Sequence, residues 1–132
     1  ETNLYTNQLD DLRRRTEALG GTFDYPTKRD RLEEVSRELE NPNVWNDPEK
    51  AQELGRERAR LDNVVTTIDE LEGGLDDAGE MLELAIEEND EETVAAIAGD
   101  LTGMEARVER LEFERMFSGE MDTSNAYLDI QA

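Results

Sequence analysis

The sequence predicts an all-α protein, a small antiparallel helical bundle built on a long coiled-coil-like helix hairpin, with a C-terminal orphan strand. Three observations carry this. Apolar residues recur at steps of three and four along most of the chain, the period of a helix with one buried face. Gly, Pro and Asn cluster at a few points between these stretches, where chain punctuation belongs. Charged residues (37%) are as common as hydrophobic ones (36%), a balance that suits extended helices with narrow apolar seams better than a deep globular core.

The first element is read from Leu4, Tyr5, Leu9, Leu12, Thr16 and Leu19. Gly20-Gly21 is expected to end it, as glycine beyond a helix C-terminus commonly does. Arg13, Arg14 and Arg15 lie in its second half, where positive charge suits the helix dipole. Phe23 to Pro26 form a connector, and Thr27 is the expected N-cap of a short helix carrying Leu32, Val35 and Leu39 on one face. That helix stops before Asn41-Pro42. In Asn43-Val-Trp-Asn-Asp-Pro-Glu49, Asn46 or Asp47 can cap the next helix and Pro48 fits its first turn. Trp45, the single tryptophan, is expected to act as a hydrophobic anchor over that helix start.

A long seam follows: Leu54, Leu61, Val65, Ile68, Leu71, Leu75, Ala78, Leu82 and Ala85 or Ile86. It predicts one helix over about residues 48–88, roughly 60 Å long at 1.5 Å per residue. Gly73-Gly74 and Gly79 interrupt the composition but not the apolar phase, so the helix is expected to continue across them. Asn89 marks a turn, and Glu91-Glu92 provide an acidic first turn for the last helix. There Val94, Ile97, Leu101, Met104, Val108 and Leu111 form an a/d heptad seam. The short connection makes the last two helices antiparallel neighbours, with the first two expected on the open end of the hairpin. Beyond them Tyr127 to Gln131 nearly alternate in polarity, as a half-buried strand does. The expected organisation is a helical domain over 1–118 and, over 119–132, a linker and first strand leading into a further domain.

The chain has no Cys and no His, which excludes disulfides, thiolate nucleophiles, imidazole bases and Cys/His zinc sites. No apolar run reaches membrane-spanning length. Residues 61–132 carry 21 acidic and 3 basic side chains, with no Lys or Arg between Arg60 and Arg107. Such a surface repels phosphate backbones. Asp76-Asp77, Glu87-Glu88 and Glu91-Glu92 are sequence neighbours and fall on different helix faces or in a turn, which is wrong for a fixed catalytic pair. No calcium loop or phosphate loop is present. The residues therefore offer no catalytic, cofactor-binding or metal site. A free-standing acidic helical adaptor or nucleic-acid mimic fits this pattern, as does, more weakly, a dimerisation module using the 94–111 seam.

Two segments carry a family resemblance. Arg31-Leu-Glu-Glu-Val-Ser-Arg-Glu-Leu-Glu-Asn-Pro-Asn-Val-Trp-Asn-Asp-Pro-Glu-Lys-Ala-Gln52 is one, and Leu111 to Glu120, continuing through Ala126 to Ala132, is the other. Both resemble the N-terminal domain of bacterial peptide chain release factor 2. The sister family, release factor 1, differs where Trp45 stands. The resemblance implies a cytoplasmic translation-termination protein whose full-length form acts at UAA or UGA and triggers peptidyl-tRNA hydrolysis. The family's Ser-Pro-Phe and Gly-Gly-Gln motifs would lie after Ala132. Here Ser118 is followed by Gly119, and Gly20-Gly21 by Thr22, so no residue of those motifs transfers and no peptide release is expected from this chain alone. What the resemblance leaves to this domain is docking near the ribosomal stalk base and protein L11, with a link to the GTPase release factor 3. The turn around Asn89 and the surface of the first helix are the candidate ribosome contacts; neither carries a contact signature.

Overall fold

The structure, a computed structural model, describes residues 2–118; the expected strand at Tyr127–Gln131 lies outside them. The described residues form four α-helices and one 3-10 turn: α1 (Thr2–Thr22), α2 (Tyr25–Glu40), the turn Pro42–Asn46, α3 (Pro48–Glu87) and α4 (Glu91–Ser118). The protein is all-α over this range.

α1 does not stop at Gly20-Gly21. It runs through them to Thr22, because helical continuation places Phe23 four residues from Leu19 on the core face, and both are 2% exposed. The break falls instead at Asp24, whose φ of 56° and ψ of 58° lie in the left-handed region. Its N–H reaches Gly21 O at 3.2 Å and its carbonyl accepts from Lys28 N at 3.1 Å. One residue thus ends α1 and starts α2, and Thr27 lies inside α2 rather than at its cap. Asp is among the few side chains that tolerate this conformation.

α2 stops where expected, at Glu40, and Asn41 caps the short turn by accepting from Asn43 N at 3.0 Å. Of the two candidate caps for α3, Asp47 is the one used, its side chain accepting from Lys50 N at 3.3 Å. Trp45, expected as an apolar anchor over the start of α3, is mostly open to solvent. It is 60% exposed, and its indole N–H donates to Leu39 O at 2.9 Å, satisfying a carbonyl in the last turn of α2.

α3 is continuous for 40 residues, across Gly73, Gly74 and Gly79 as expected and across Gly55 as well. Its buried residues are Ala51, Leu54, Val64, Val65, Ile68, Leu71, Leu75, Ala78, Leu82 and Ala85. Val64 takes the place expected of Leu61, which is half-buried. Two of the glycines are packing devices. A Cβ on Gly79 would come within 2.6 Å of Arg13 Nη2 and 3.2 Å of Leu9 Cδ2, and one on Gly74 within 3.1 Å of Met104 Sδ. They let α1 and α4 approach α3 closely.

The turn between α3 and α4 ends the first helix with a Schellman pattern. Asp90 N donates to Ala85 O at 2.8 Å, Asn89 N donates to Ile86 O at 3.2 Å, and Asn89 has φ 56°. Asp90 then caps α4, accepting from Thr93 N at 3.1 Å and from Thr93 Oγ1 at 2.7 Å. Asn63 with Glu114, Glu70 with Arg107, and Gly74 beside Met104 show α3 and α4 running antiparallel. α1 does not sit at their open end. It lies along both: Arg13 meets Leu75 O and Asp76 on α3, while Gln8 and Arg15 reach Glu105 and Glu112 on α4. The core is therefore a three-helix layer of Leu12, Leu19, Ile68, Leu71, Leu75, Leu101 and Leu111 among others. α2 packs on the first half of α3, where Val35 is fully buried and Ala51 and Leu54 nearly so.

Candidate functional site

The acidic side chains divide into those that tie helices together and those that face solvent. Arg15 is the main tie. Its guanidinium holds Glu112 by two hydrogen bonds of 2.8 and 3.0 Å, with Asp11 at 3.3 Å and Glu105 at 3.7 Å. The hydrogen bond to Glu112 raises the pKa of Arg15, and the same bond lowers that of Glu112. Arg31 makes the corresponding fork to Glu57 at 2.7 and 2.9 Å, so its pKa rises and that of Glu57 falls. Arg107 pairs with Glu70 at 2.6 Å. The Tyr25 hydroxyl donates to Asp69, and that bond raises the tyrosine pKa. At the turn, the bond from the Thr93 side chain lowers the pKa of Asp90.

Every one of these shifts has a packing or capping partner as its cause. Structural ion pairs and caps perturb ionisable groups just as active sites do, and each of the six shifted groups has such a partner. Among the described residues no group of three or more Asp, Glu, His or Cys could hold a metal ion. No described helix is long and apolar enough to cross a membrane.

What remains is the outer surface. The Asn89 turn is exposed, and Glu87, Glu88, Glu91 and Glu92 around it face solvent. On the first helix Leu4 is 66% exposed, and Arg14 is held by Asp11 at 3.0 Å. The two expected contact regions are thus accessible, one strongly acidic and the other mixed.

The structure adds residues that the seam reading passed over. Met81 and Leu84 on α3, and Phe113 and Met116 on α4, are each more than half exposed. Their signal was in the sequence: they are large apolar residues out of phase with the seam of their own helix. Among the described residues open grooves run between the helices. α1 and α3 border one of about 440 Å³ containing Leu9, Gly79 and Ile86. Phe23, Lys28, Arg60 and Leu61 line a second of about 300 Å³. α3 and α4 border a third of about 520 Å³.

An acidic helical-bundle domain, some of its ionisable groups tying helices together and the rest facing solvent, is the class that fold and surface define. The chain belongs to the PCRF domain family, whose pattern matches residues 28–132. It is similar over its whole length to the N-terminal part of proteins named peptide chain release factor 2. It is 55% identical over 132 residues to that of Xanthomonas euvesicatoria pv. vesicatoria, 54% identical to that of Shewanella baltica and 52% identical to that of Yersinia enterocolitica. Each match covers all of this chain and 35–36% of the relative. The chain therefore spans about a third of the length of the curated relatives it matches.

Proposed function

We propose that this chain is the N-terminal domain of a class I peptide chain release factor specific for UAA and UGA in its full-length form. In that reading it docks and positions the factor by the ribosomal stalk base near protein L11. It also has a part in the action of the GTPase release factor 3, and works in the cytoplasm. The observation that carries the reading is identity above 50% across the whole chain to release factor 2 proteins about three times as long. The physics agrees with the division of labour. A rigid, coiled-coil-like acidic hairpin presents surface to proteins and is repelled by rRNA phosphate. In this reading peptidyl-tRNA hydrolysis belongs to the full-length factor, and the domain alone releases no peptide.

The test is a peptide-release assay on ribosomes stalled at UAA, UGA or UAG, using the full-length protein, a version lacking residues 1–118, and this chain alone. The full-length protein should release peptide at UAA and UGA and not at UAG. Removal of 1–118 should weaken ribosome binding more than it slows release at saturation. This chain alone should release nothing. Release at UAG, or none at UAA, would contradict the proposal.

A further inference from the structure

The groove between α3 and α4 is lined by side chains of those two helices alone, among them Asp77, Ala78, Met81, Ile97 and Asp100. Met81 and Leu84 stand three residues apart, on adjacent turns, and are 51% and 58% exposed. Residues at that spacing share a helix face, so they make one apolar ridge beside the groove. Asp77 and Glu88 extend the same face, and both are exposed. Across the groove Gly99 and Gly103 carry no side chain, and a Cβ on either would meet no atom within 4 Å. Unlike Gly74 and Gly79, these two have no internal packing reason to be glycine. Each disfavours its helix, and the space they leave opens outward.

The occupant is constrained by charge. Between Arg60 and Arg107 there are 15 acidic side chains and no basic one; Arg107 lines one end of the groove but is paired there with Glu70 at 2.6 Å, which leaves Asp77 and Asp100, one from each helix, as its free carboxylates. Phosphate backbones are repelled by such a surface. A second copy of this chain would bring the same acidic face against itself. We infer that this groove and the Met81–Leu84 ridge form a docking site for a basic protein surface. An apolar side chain of the partner would lie on the ridge, and a Lys or Arg would reach between Asp77 and Asp100. The inference rests on the release-factor reading and gives its docking role a location, on the flank of the hairpin rather than at the Asn89 turn.

The experiment measures the affinity of the full-length protein for ribosomes stalled at UAA, together with peptide release at saturating protein. Gly99→Ala with Gly103→Ala places two methyl groups on the groove wall, where a docked side chain would have to pass. It should raise the melting temperature of the domain, weaken ribosome binding by about tenfold and leave release at saturation unchanged. A variant that is more stable yet binds less well cannot be explained by misfolding. Asp77→Lys with Asp100→Lys should also weaken binding; tighter binding would mean that the groove faces RNA, which overturns a basic protein partner. Unchanged affinity of the glycine variant, with release intact, would sink the groove proposal alone. Absence of release by the unsubstituted protein would sink the release-factor reading and the groove with it.

Discussion

Gly73 and Gly79 stand six residues apart on α3, yet substitution at each should act in opposite directions. A Cβ at Gly73 meets nothing within 4 Å, so Gly73→Ala should gain the ordinary helix preference of alanine, about 1 kcal/mol. A Cβ at Gly79 would lie 2.6 Å from Arg13 and 3.2 Å from Leu9. The arginine end can move, but Leu9 is a buried core residue. Gly79→Ala should therefore cost about 1–2 kcal/mol despite its better propensity. Urea denaturation of the two variants decides the matter, and a gain at both would mean that α1 can slide on α3. Thr16 gives a second test at this scale. It is 1% exposed and its hydroxyl has no hydrogen-bond partner, which costs about 1–3 kcal/mol relative to a satisfied group. Thr16→Val removes the hydroxyl while nearly preserving shape, and should raise stability by about 1 kcal/mol by the same measurement.

Between elements, the fork from Arg15 on α1 to Glu112 on α4 ties helices about a hundred residues apart in the chain. Glu112→Gln should cost about 1 kcal/mol at pH 7, because the pair is bidentate but partly open to solvent. The sign of the pH dependence follows from the lowered pKa of Glu112. A carboxylate depressed in the folded state contributes fully above its unfolded value, about 4.3 for Glu, and that contribution fades as pH falls through the lower folded-state value. The stability gap between the native protein and the variant should thus be constant from pH 7 to about 5 and close below about 4. A gap that persisted in acid would point to lost packing rather than lost charge. Much at this scale was legible beforehand. The period of α4 placed Ile97, Leu101, Val108 and Leu111 in the core, all at most 2% exposed, because a heptad seam needs no knowledge of its partner. The end of α1 was not legible from Gly20-Gly21. Local propensity favours a stop there, but burial of Phe23 outweighs it, and the left-handed turn moves to Asp24. The polar role of Trp45 was not legible either: its apolar bulk suggested an anchor over the start of α3, whereas its indole N–H donates to a carbonyl at the end of α2. The proposed docking surface was legible only as out-of-phase apolar residues. Whether Met81 and Leu84 face solvent or another helix depends on where α1 lies, and no period in α3 states that.

Over the whole molecule, charge imbalance is the dominant unsatisfied term. Fourteen basic side chains cannot neutralise 35 acidic ones, leaving −21 at neutral pH. Two effects of salt then compete. Added ions weaken the exposed pairs such as Arg37–Glu33 and Arg14–Asp11, but such pairs contribute about 0–1 kcal/mol each. Added ions also screen repulsion among the carboxylates of α3 and α4. At about 0.01 M salt the Debye length is near 30 Å, half the length of α3, so each carboxylate feels many others. At about 0.1 M it falls to roughly 10 Å, and only neighbours on adjacent turns still interact. Repulsive pairs far outnumber attractive ones between Arg60 and Arg107, where no basic residue occurs. Screening should win, and the melting temperature of this chain at pH 7 should climb by several degrees as NaCl rises from about 0.01 to 0.5 M. Most of the rise should come below about 0.15 M, where the Debye length changes fastest. Circular dichroism melts across that series read it directly. A steady fall would mean that the Arg15, Arg31 and Arg107 ties outweigh the repulsion, and that the acidic face costs the fold little.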